Sequence, residues 1–294
     1  MKKPNELEKL SARRALVAPL LVFFGLIALM YDATYAQERN ASASQASGIA
    51  SYARPGDIKE VELCGVTIAF RWIPAGSFKM GSPEDETIRY DNETQHAVTI
   101  QQGFWLAETE TTQRLWKAVM GENPSANKGD DLPVERVSWN DCVAFIAKAN
   151  KQCAQEKYLF ALPTEEEWEY ACRAGTTTPF SFGESLNGDK ANCNGLYAYG
   201  GAKKEGPWLQ KTTPAGVYPS NAWGLFDMHG NVWEWCESFY AEYGETPNSD
   251  DKEHVVRGGS WSSRATNCRA AYRGRLGDDE REFDVGFRMK LIEN

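Results

Sequence analysis

The chain has 294 residues, of which 42% are hydrophobic and 12% aromatic, and its formal net charge is −9. This is enough apolar material for one large globular domain or two small ones. Without residues 1–36, 27 Lys and Arg face 38 Asp and Glu, a net charge of −11. Such an acidic chain repels phosphate backbones and anionic lipid headgroups, so nucleic acid is not an expected partner.

The N-terminus has the layout of an export signal. Basic residues precede an apolar run from Ala15 to Met30, and Thr34-Tyr35-Ala36 places small residues where a signal peptidase cleaves. The run is short for a membrane span, which needs about 20 residues. We expect residues 1–36 to be a cleaved signal peptide, with an uncleaved inner-membrane anchor as the alternative, so the protein is expected to be periplasmic or secreted. Residues 37–54, rich in Ser, Ala and Gln, are expected to be a flexible linker.

The seven cysteines contain no Cys-x-x-Cys pair, so the usual zinc spacings are absent. Export favours disulfides, but the odd count leaves at least one thiol without an intramolecular partner. Cys142 and Cys153 are predicted to share one helix, about 16 Å apart and too far to bridge. The sequence leaves the pairing of the others open.

The first predicted elements are short strands. Apolar residues spaced mostly two apart from Val61 to Trp72, broken at Cys64-Gly65, indicate a β-hairpin. Further strands are predicted from Ser77 to Gly81 and from Ala97 to Leu106, with a polar surface loop over residues 82–95 between them.

Three helix starts follow the strands. Thr109 is the predicted cap of the first helix. Ser138 with Asp141 and Thr164 with Glu167 have the spacing of capping boxes, in which each side chain bonds the other residue's backbone N–H.

The third helix is predicted to stop at Gly175, and its acidic run from Glu165 to Glu169 is explained by the helix N-terminus. After residue 176 turn residues and aromatics dominate, and no repeat of 20–50 residues is present. We therefore predict a single α+β domain over residues 55–294 with little regular secondary structure.

Five sequence blocks stand in the order found in one known family. They are Trp72–Gly81; Glu108–Trp116 with Leu132–Val134 and Val137–Asp141; Leu162–Ala171; Gly224–Trp235; and Arg257–Trp261 with Gly286–Arg288. In these blocks the chain resembles the formylglycine-generating-enzyme, or sulfatase-modifying-factor, family. The resemblance implies that family's fold, a compact domain of low regular secondary structure related to C-type lectins.

The family's oxidase makes formylglycine from a sulfatase cysteine and holds copper(I) between two cysteines five residues apart. Counted from Ser260, those positions are Ser263 and Cys268. A hydroxyl is a hard, poor ligand for copper(I), so copper is not an expected cofactor. Cys268 is the one candidate catalytic residue. An alignment on Arg269–Arg273 instead leaves neither family cysteine in place, and we favour a structural role for Cys268. Ser260 and Trp233 match positions that flank the family's oxygen pocket.

The resemblance also implies a structural calcium site in the fourth block. Asp227 and Glu234 would supply carboxylate oxygens, and Gly230 and Val232 would supply backbone carbonyls, a set of hard ligands suited to calcium. The alternative is that Asp227 caps a turn and Glu234 pairs with an arginine. The family's second calcium site is matched only by Asn192, because its downstream aspartate has no counterpart.

Three functions remain open, and the sequence does not decide whether the protein is an enzyme. The first, which we favour, is a binding or accessory protein that holds a peptide or partner protein in the cell envelope without thiol oxidase chemistry. The second is a periplasmic maturation enzyme on the same scaffold, for example of a secreted peptide. The third is a formylglycine-generating oxidase that acts on a sulfatase cysteine with an altered site. The histidines are too scattered to indicate a zinc or iron site or a hydrolase triad.

Overall fold

A computed structural model describes residues 54–154, 156–201, 204–246 and 252–293. The predicted signal or anchor of residues 1–36 and all but the last residue of the predicted linker lie outside the described residues. Within the described ranges, no helix has the length and apolar character needed to cross a membrane.

The described chain contains eleven strands and three α-helices. In chain order they are β1 Ile58–Leu63, β2 Val66–Ile73, β3 Gly76–Met80, β4 His96–Ile100, β5 Phe104–Ala107, α1 Gln113–Met120, α2 Trp139–Gln152, β6 Tyr158–Ala161, α3 Glu165–Arg173, β7 Trp233–Phe239, β8 Glu253–Arg257, β9 Gly274–Gly277, β10 Val285–Gly286 and β11 Lys290–Glu293. One antiparallel sheet has the order β1-β2-β5-β11-β6, a second has the order β10-β7-β8-β9, and β3 pairs with β4. In the second sheet β10 runs parallel to β7 and the other pairs are antiparallel.

The predicted hairpin is confirmed. Leu63 pairs with Val66 across a two-residue turn, in which Cys64 has φ 53° and Gly65 has φ 76°. Positive φ at both turn residues is the conformation that matches the right-handed twist of the flanking strands.

The predicted single strand from Ala97 to Leu106 is wrong, because the structure divides it between two sheets. β4 pairs with β3, whereas β5 pairs with β2 and β11. The chain changes sheets between Ile100 and Phe104, and an added Cβ on Gly103 would stand 2.3 Å from the Trp72 ring. A residue with a side chain does not fit there, and the close approach to Trp72 is a tertiary contact.

Two of the three helix starts are confirmed, and the first is corrected. Ser138 with Asp141 and Thr164 with Glu167 form complete capping boxes. Helix α1 begins after Thr112, whose hydroxyl accepts from the Leu115 amide, and the Thr109 hydroxyl instead donates to the Glu110 carbonyl. The helix therefore starts three residues later than predicted.

The helices α1 and α2 pack on the five-stranded sheet through the largest hydrophobic cluster, and we call these elements the helix–sheet region. Phe145 lies at its centre, with ring centroids 5.2 Å from Trp116 and 5.4 Å from Phe287. Cys142 lies in α2 and Cys153 caps its C-terminus, as the helical spacing predicts.

Residues 174–232 and 258–273, which we call the loop region, contain no α-helix or strand among those of them that are described. Five buried arginines, each paired with a buried carboxylate, lie in this region or donate hydrogen bonds to its carbonyls. The pairs are Arg173 and Arg257 with Glu169, Arg269 with Glu93 at 2.7 Å, Arg273 with Glu165 at 2.6 Å, and Arg288 with Glu234 at 2.6 Å. The acidic run at the start of α3 therefore does more than complement a helix N-terminus.

Candidate functional site

The Gly-Gly-Ser turn after β8 brings Ser260 into the interior. Gly258 has φ 96° and Gly259 has φ 72°, a conformation that favours glycine. A Cβ on Gly259 would stand 2.5 Å from the Cys268 sulfur, so this position has no room for a side chain. The turn leaves Ser260 fully buried beside the strand that begins at Trp233.

Three serine hydroxyls and one carboxylate form a compact cluster behind this turn. Ser260 and Ser262 donate to the same oxygen of Asp284, over 2.5 and 2.7 Å, and the hydroxyls of Ser260 and Ser263 are 3.1 Å apart. The Asp284 carbonyl accepts from the Trp233 amide at 2.9 Å. Ser260, Ser263 and Asp284 are buried, whereas Ser262 is half-exposed, so the cluster reaches the surface through Ser262.

The donors in this cluster are hard oxygens. The three histidines form their hydrogen bonds outside the cluster: His96 with Thr94, His229 with Cys268 and Ser181, and His254 with Glu237. The cluster therefore has no imidazole base for a serine nucleophile and no thiolate for a soft metal. It is suited to hydrogen bonding with a polar ligand.

Two groups of aromatic side chains adjoin the cluster. The Trp233 amide bonds the Asp284 carbonyl, and the Trp233 ring is 5.7 Å from Tyr272, whose ring is in turn met edge-on by Tyr90 at 5.3 Å. Trp261 and Phe283, which are chain neighbours of Ser260 and Asp284, lie 5.5 Å apart. Tyr90 and Phe283 are 45% and 43% exposed, which is high for large apolar side chains. We call these five residues and Ser262 the aromatic face.

Cys268, the candidate catalytic residue, is buried away from this face. It ends a short 3₁₀ helix that begins at Ala265, it is 0% exposed, and it belongs to a small cluster with Cys193, Phe180 and Leu186. Contact with Cys193 and burial raise the pKa of the Cys268 thiol well above its usual range. A neutral, enclosed thiol is a poor nucleophile and a poor metal ligand. The catalytic role stays a prediction, and the geometry supports the structural role.

Three of the predicted calcium residues, Asp227, Gly230 and Val232, lie in the turn before β7, and Glu234 lies in β7 itself. Glu234 accepts two hydrogen bonds from Arg288, both of 2.6 Å, and one of 2.7 Å from the Trp168 indole. Gly230 has φ 86° and a Cβ there would meet the Asn192 carbonyl at 2.3 Å, while the Val232 side chain packs close to Gly286. The arginine pairing that the sequence offered as an alternative for Glu234 is therefore present.

Glu110, which sequence reasoning did not include, precedes α1 in the chain but lies near Asp227 in the structure. One oxygen of Asp227 accepts from the Gly216 amide at 2.6 Å, and one oxygen of Glu110 accepts from Asn231 at 3.0 Å. The second oxygen of each carboxylate is buried without a hydrogen-bond partner. Burial raises the pKa of Asp227 to about 6, and burial and the Asp227 charge raise the pKa of Glu110 well above its usual range.

Two unpartnered buried carboxylate oxygens fit a hard cation, because a bound ion would satisfy both. Asp227 and Glu110 are the side chains that could hold it, with the carbonyls of Gly230 and Val232 as the predicted backbone ligands. No group of three His, Cys, Asp or Glu side chains in the described part of the chain has the arrangement of a metal site. Calcium therefore stays a prediction, with Glu110 better placed than the arginine-paired Glu234 to join Asp227.

Sequence reasoning found Ser260, Ser263 and Trp233 but missed Asp284, which unites them. Asp284 stands two residues before the Gly286-Phe287-Arg288 block, and this closeness to a family block is the sequence feature that could have pointed to it. Glu110 was inside the second block and was not singled out.

Comparisons with known proteins agree with this architecture. The family model described as "Sulfatase-modifying factor enzyme 1-like domain" matches residues 65–291. The chaperone protein LppX of Paenibacillus barcinonensis is 29% identical over an alignment of 225 residues, and the match covers 63% of this chain and 79% of LppX. The formylglycine-generating enzyme of Mus musculus is 32% identical over an alignment of 188 residues, and the match covers 59% of this chain and 48% of the enzyme.

This chain thus spans about half the length of that enzyme. The solved structure of PvdO from Pseudomonas aeruginosa has a TM-score of 0.68 and 25% identity, covering 83% of this chain and 100% of PvdO. The predicted fold class is confirmed by this likeness. Because the family model covers more than half of the chain, the protein belongs to the sulfatase-modifying-factor, or formylglycine-generating-enzyme, domain family.

Proposed function

We propose that this protein binds a peptide or an extended segment of a partner protein at the aromatic face and does not carry out thiol oxidation with copper. The observation that carries the proposal is the cluster of Ser260, Ser262 and Ser263 on Asp284, which puts hard oxygens where the family's oxidase has a thiol. The proposed setting is the periplasm or the cell exterior, supported by the basic and apolar leader.

The chemistry of the face suits a polypeptide. Aromatic side chains are enriched at protein interfaces, where a few of them contribute most of the binding free energy. The half-exposed Ser262 hydroxyl and the carboxylate behind it offer hydrogen-bonding groups for backbone amides. The relative LppX is named a chaperone protein, and a polypeptide ligand for this chain is consistent with that name.

Binding is tested with a fluorescently labelled, reduced and carboxymethylated protein as a model of an unfolded chain. Tyr90→Ala and Phe283→Ala should each raise the Kd measured by anisotropy about 5- to 10-fold, the loss expected for an interface aromatic. Both residues are more than 40% exposed, so the fold should survive their removal. Ile58→Ala is the control, because Ile58 is 56% exposed, lies on the edge strand β1 of the five-stranded sheet and is not part of the aromatic face. Equal Kd values for all three variants and the parent would contradict the proposal.

The competing oxidase function has its own test. Copper-loaded protein is incubated with a Cys-x-Pro-x-Arg peptide under oxygen, and the product is weighed by mass spectrometry. We expect no formylglycine, because Ser263 offers a hydroxyl and Cys268 is enclosed. Ser263→Cys should also fail to bind copper(I). Turnover by the unaltered protein would support an oxidase with an altered site instead.

A further inference from the structure

Two of the seven cysteines lie against each other beneath the Gly-Gly-Ser turn. Cys193 and Cys268 are 1% and 0% exposed and belong to one small hydrophobic cluster, and the contact with Cys193 contributes to the raised pKa of the Cys268 thiol. The other buried cysteines lie elsewhere: Cys142 and Cys153 are in the cluster of the helix–sheet region, and Cys172 and Cys236 are in another cluster.

The backbone holds the two cysteines together from both sides. The Asn194 amide donates to the Ser263 carbonyl at 2.8 Å, and the Ala265 amide donates to the Tyr197 carbonyl at 3.3 Å. The two segments that carry the thiols are therefore hydrogen-bonded to each other directly beside them. The sulfur of Cys268 is further confined by Gly259, the residue before Ser260.

We propose that Cys193 and Cys268 form a disulfide that fastens the Ser260–Cys268 segment to the loop around Asn192. Its formation is a thiol–disulfide exchange with a donor disulfide, either of an oxidoreductase or of oxidised glutathione. The thiolate of one cysteine attacks the donor, and the other cysteine then attacks the mixed disulfide. One S–S bond forms in the chain and one breaks in the donor, which takes up two electrons and two protons. Because both thiols are enclosed in the folded protein, the exchange takes place during folding.

The cross-link would act on the part of the molecule with the least regular structure. The Asn192 side chain donates to Asn231 at 3.1 Å, so the fastened loop leads directly to the turn of Asp227. The bond would also remove Cys268 from any role as a metal ligand. This inference is independent of the proposed polypeptide binding, since it concerns covalent structure and not the aromatic face.

The first test is a disulfide map of the full chain. Cys64→Ser is made in every protein, because Cys64 is exposed and would cross-link molecules. The protein is refolded with reduced and oxidised glutathione, alkylated, digested and analysed without reduction. We expect a linked peptide that contains Cys193 and Cys268, with Cys142, Cys172 and Cys236 alkylated. Alkylated or glutathionylated Cys193 and Cys268 in the refolded protein would overturn the proposal.

The second test compares the thermal unfolding of protein refolded with oxidised glutathione and of protein that is reduced in denaturant and refolded with a phosphine reductant. Closing a loop of this length should raise the Tm by about 10 °C, and the reductant should abolish that gain. In the double variant Cys193→Ala/Cys268→Ala, the reductant should leave the Tm unchanged. Cys172→Ala is the matched control: it also removes a fully buried thiol, yet it should keep the reductant sensitivity. A parent protein whose Tm ignores the reductant would contradict the proposal.

Discussion

The helix–sheet region and the loop region of this protein are stabilised by different interactions. In the first, backbone groups bond within helices and strands, and stacked apolar rings such as Trp116 and Phe145 fill the interior. In the second, where the described residues form no strand or α-helix, buried arginines bind loop carbonyls: Arg288 donates to Phe226 and Arg269 to Thr266. A loop passing through the interior needs such partners, because a buried backbone group without a hydrogen bond is costly.

The contrast determines how each region responds to change. Deleting part of an apolar side chain leaves a void, and the free energy lost grows with the void. Deleting one member of a buried ion pair leaves an unpaired charge, which is costly at once. Single substitutions should therefore do the most damage at the buried ion pairs that hold the loop region. One such pair is Arg288 with Glu234, which lies outside the region but binds it through the Phe226 carbonyl.

The largest effect is expected at the Arg288–Glu234 pair. Arg288→Met should lower the free energy of unfolding by about 3–5 kcal/mol, because Glu234 is 1% exposed and loses its counter-charge. Phe145→Leu in the helix–sheet region is the comparison, with an expected loss of about 1–2 kcal/mol. Urea denaturation measures both. The double variant Arg288→Met/Glu234→Leu should recover part of the loss, and if it is worse than the single variant, the unpaired charge is not the cause.

We expect His229, in the loop region, to make the free energy of unfolding depend on pH. Burial lowers the pKa of His229 to about 4, while its ring accepts from the Ser181 amide and bonds the Cys268 carbonyl. Between pH 4 and 6.5 the folded protein then binds fewer protons at this site than the unfolded chain. Stability therefore rises with pH in this window and is lost on acidification, by up to about 3 kcal/mol.

His229→Gln tests this expectation. The difference in unfolding free energy between pH 6.5 and pH 4.5 should shrink in this variant. His96→Gln, at a half-buried site outside the loop region, should leave the difference unchanged. Comparing the variants at each pH separates the contribution of His229 from those of Asp227 and Glu110. The raised pKa values of these two carboxyls make stability fall, not rise, with increasing pH. An unaltered slope in His229→Gln would show that another group controls acid unfolding.

The next prediction concerns stabilisation of the loop region by bound calcium. At 100 times its Kd, a bound ion would add about 2.7 kcal/mol to the stability of the folded state. A chelator should therefore lower the Tm, and Asp227→Ala and Glu110→Gln should each remove the sensitivity to chelator. Glu62→Gln, at an exposed carboxylate of β1, should retain it. Identical melting of the parent with chelator and with calcium would reject the site.

The smallest expected effect lies in the helix–sheet region. Ser138→Ala removes the hydroxyl that caps α2 and should cost about 1 kcal/mol. Thr109→Ala should cost less, because Thr112 and not Thr109 caps α1. If Thr109→Ala proves as costly as Ser138→Ala in denaturation experiments, the assigned start of α1 is wrong.

Sequence patterns located the features that depend on near neighbours in the chain. The Cys64-Gly65 turn and the two capping boxes form from residues a few positions apart, and local hydrogen bonds determine them. The family blocks also identified the fold and the positions of Ser260, Ser263 and Trp233. The predicted strand from Ala97 to Leu106 failed because its two halves pair with strands of different sheets, which no local pattern indicates.

By itself, the amino-acid sequence determined the family and the α+β class, and it predicted a serine in place of a family thiol at position 263. Only the tertiary structure decided the partners: Asp284 for Ser260 across 24 residues, and Asn231 for Glu110 across 121. It likewise placed Cys193 beside Cys268. The physical reason is that a carboxylate or a thiol in the sequence is compatible with many partners. The loop region brings together residues far apart in the chain, and no periodic pattern in the sequence indicates which of them will be in contact.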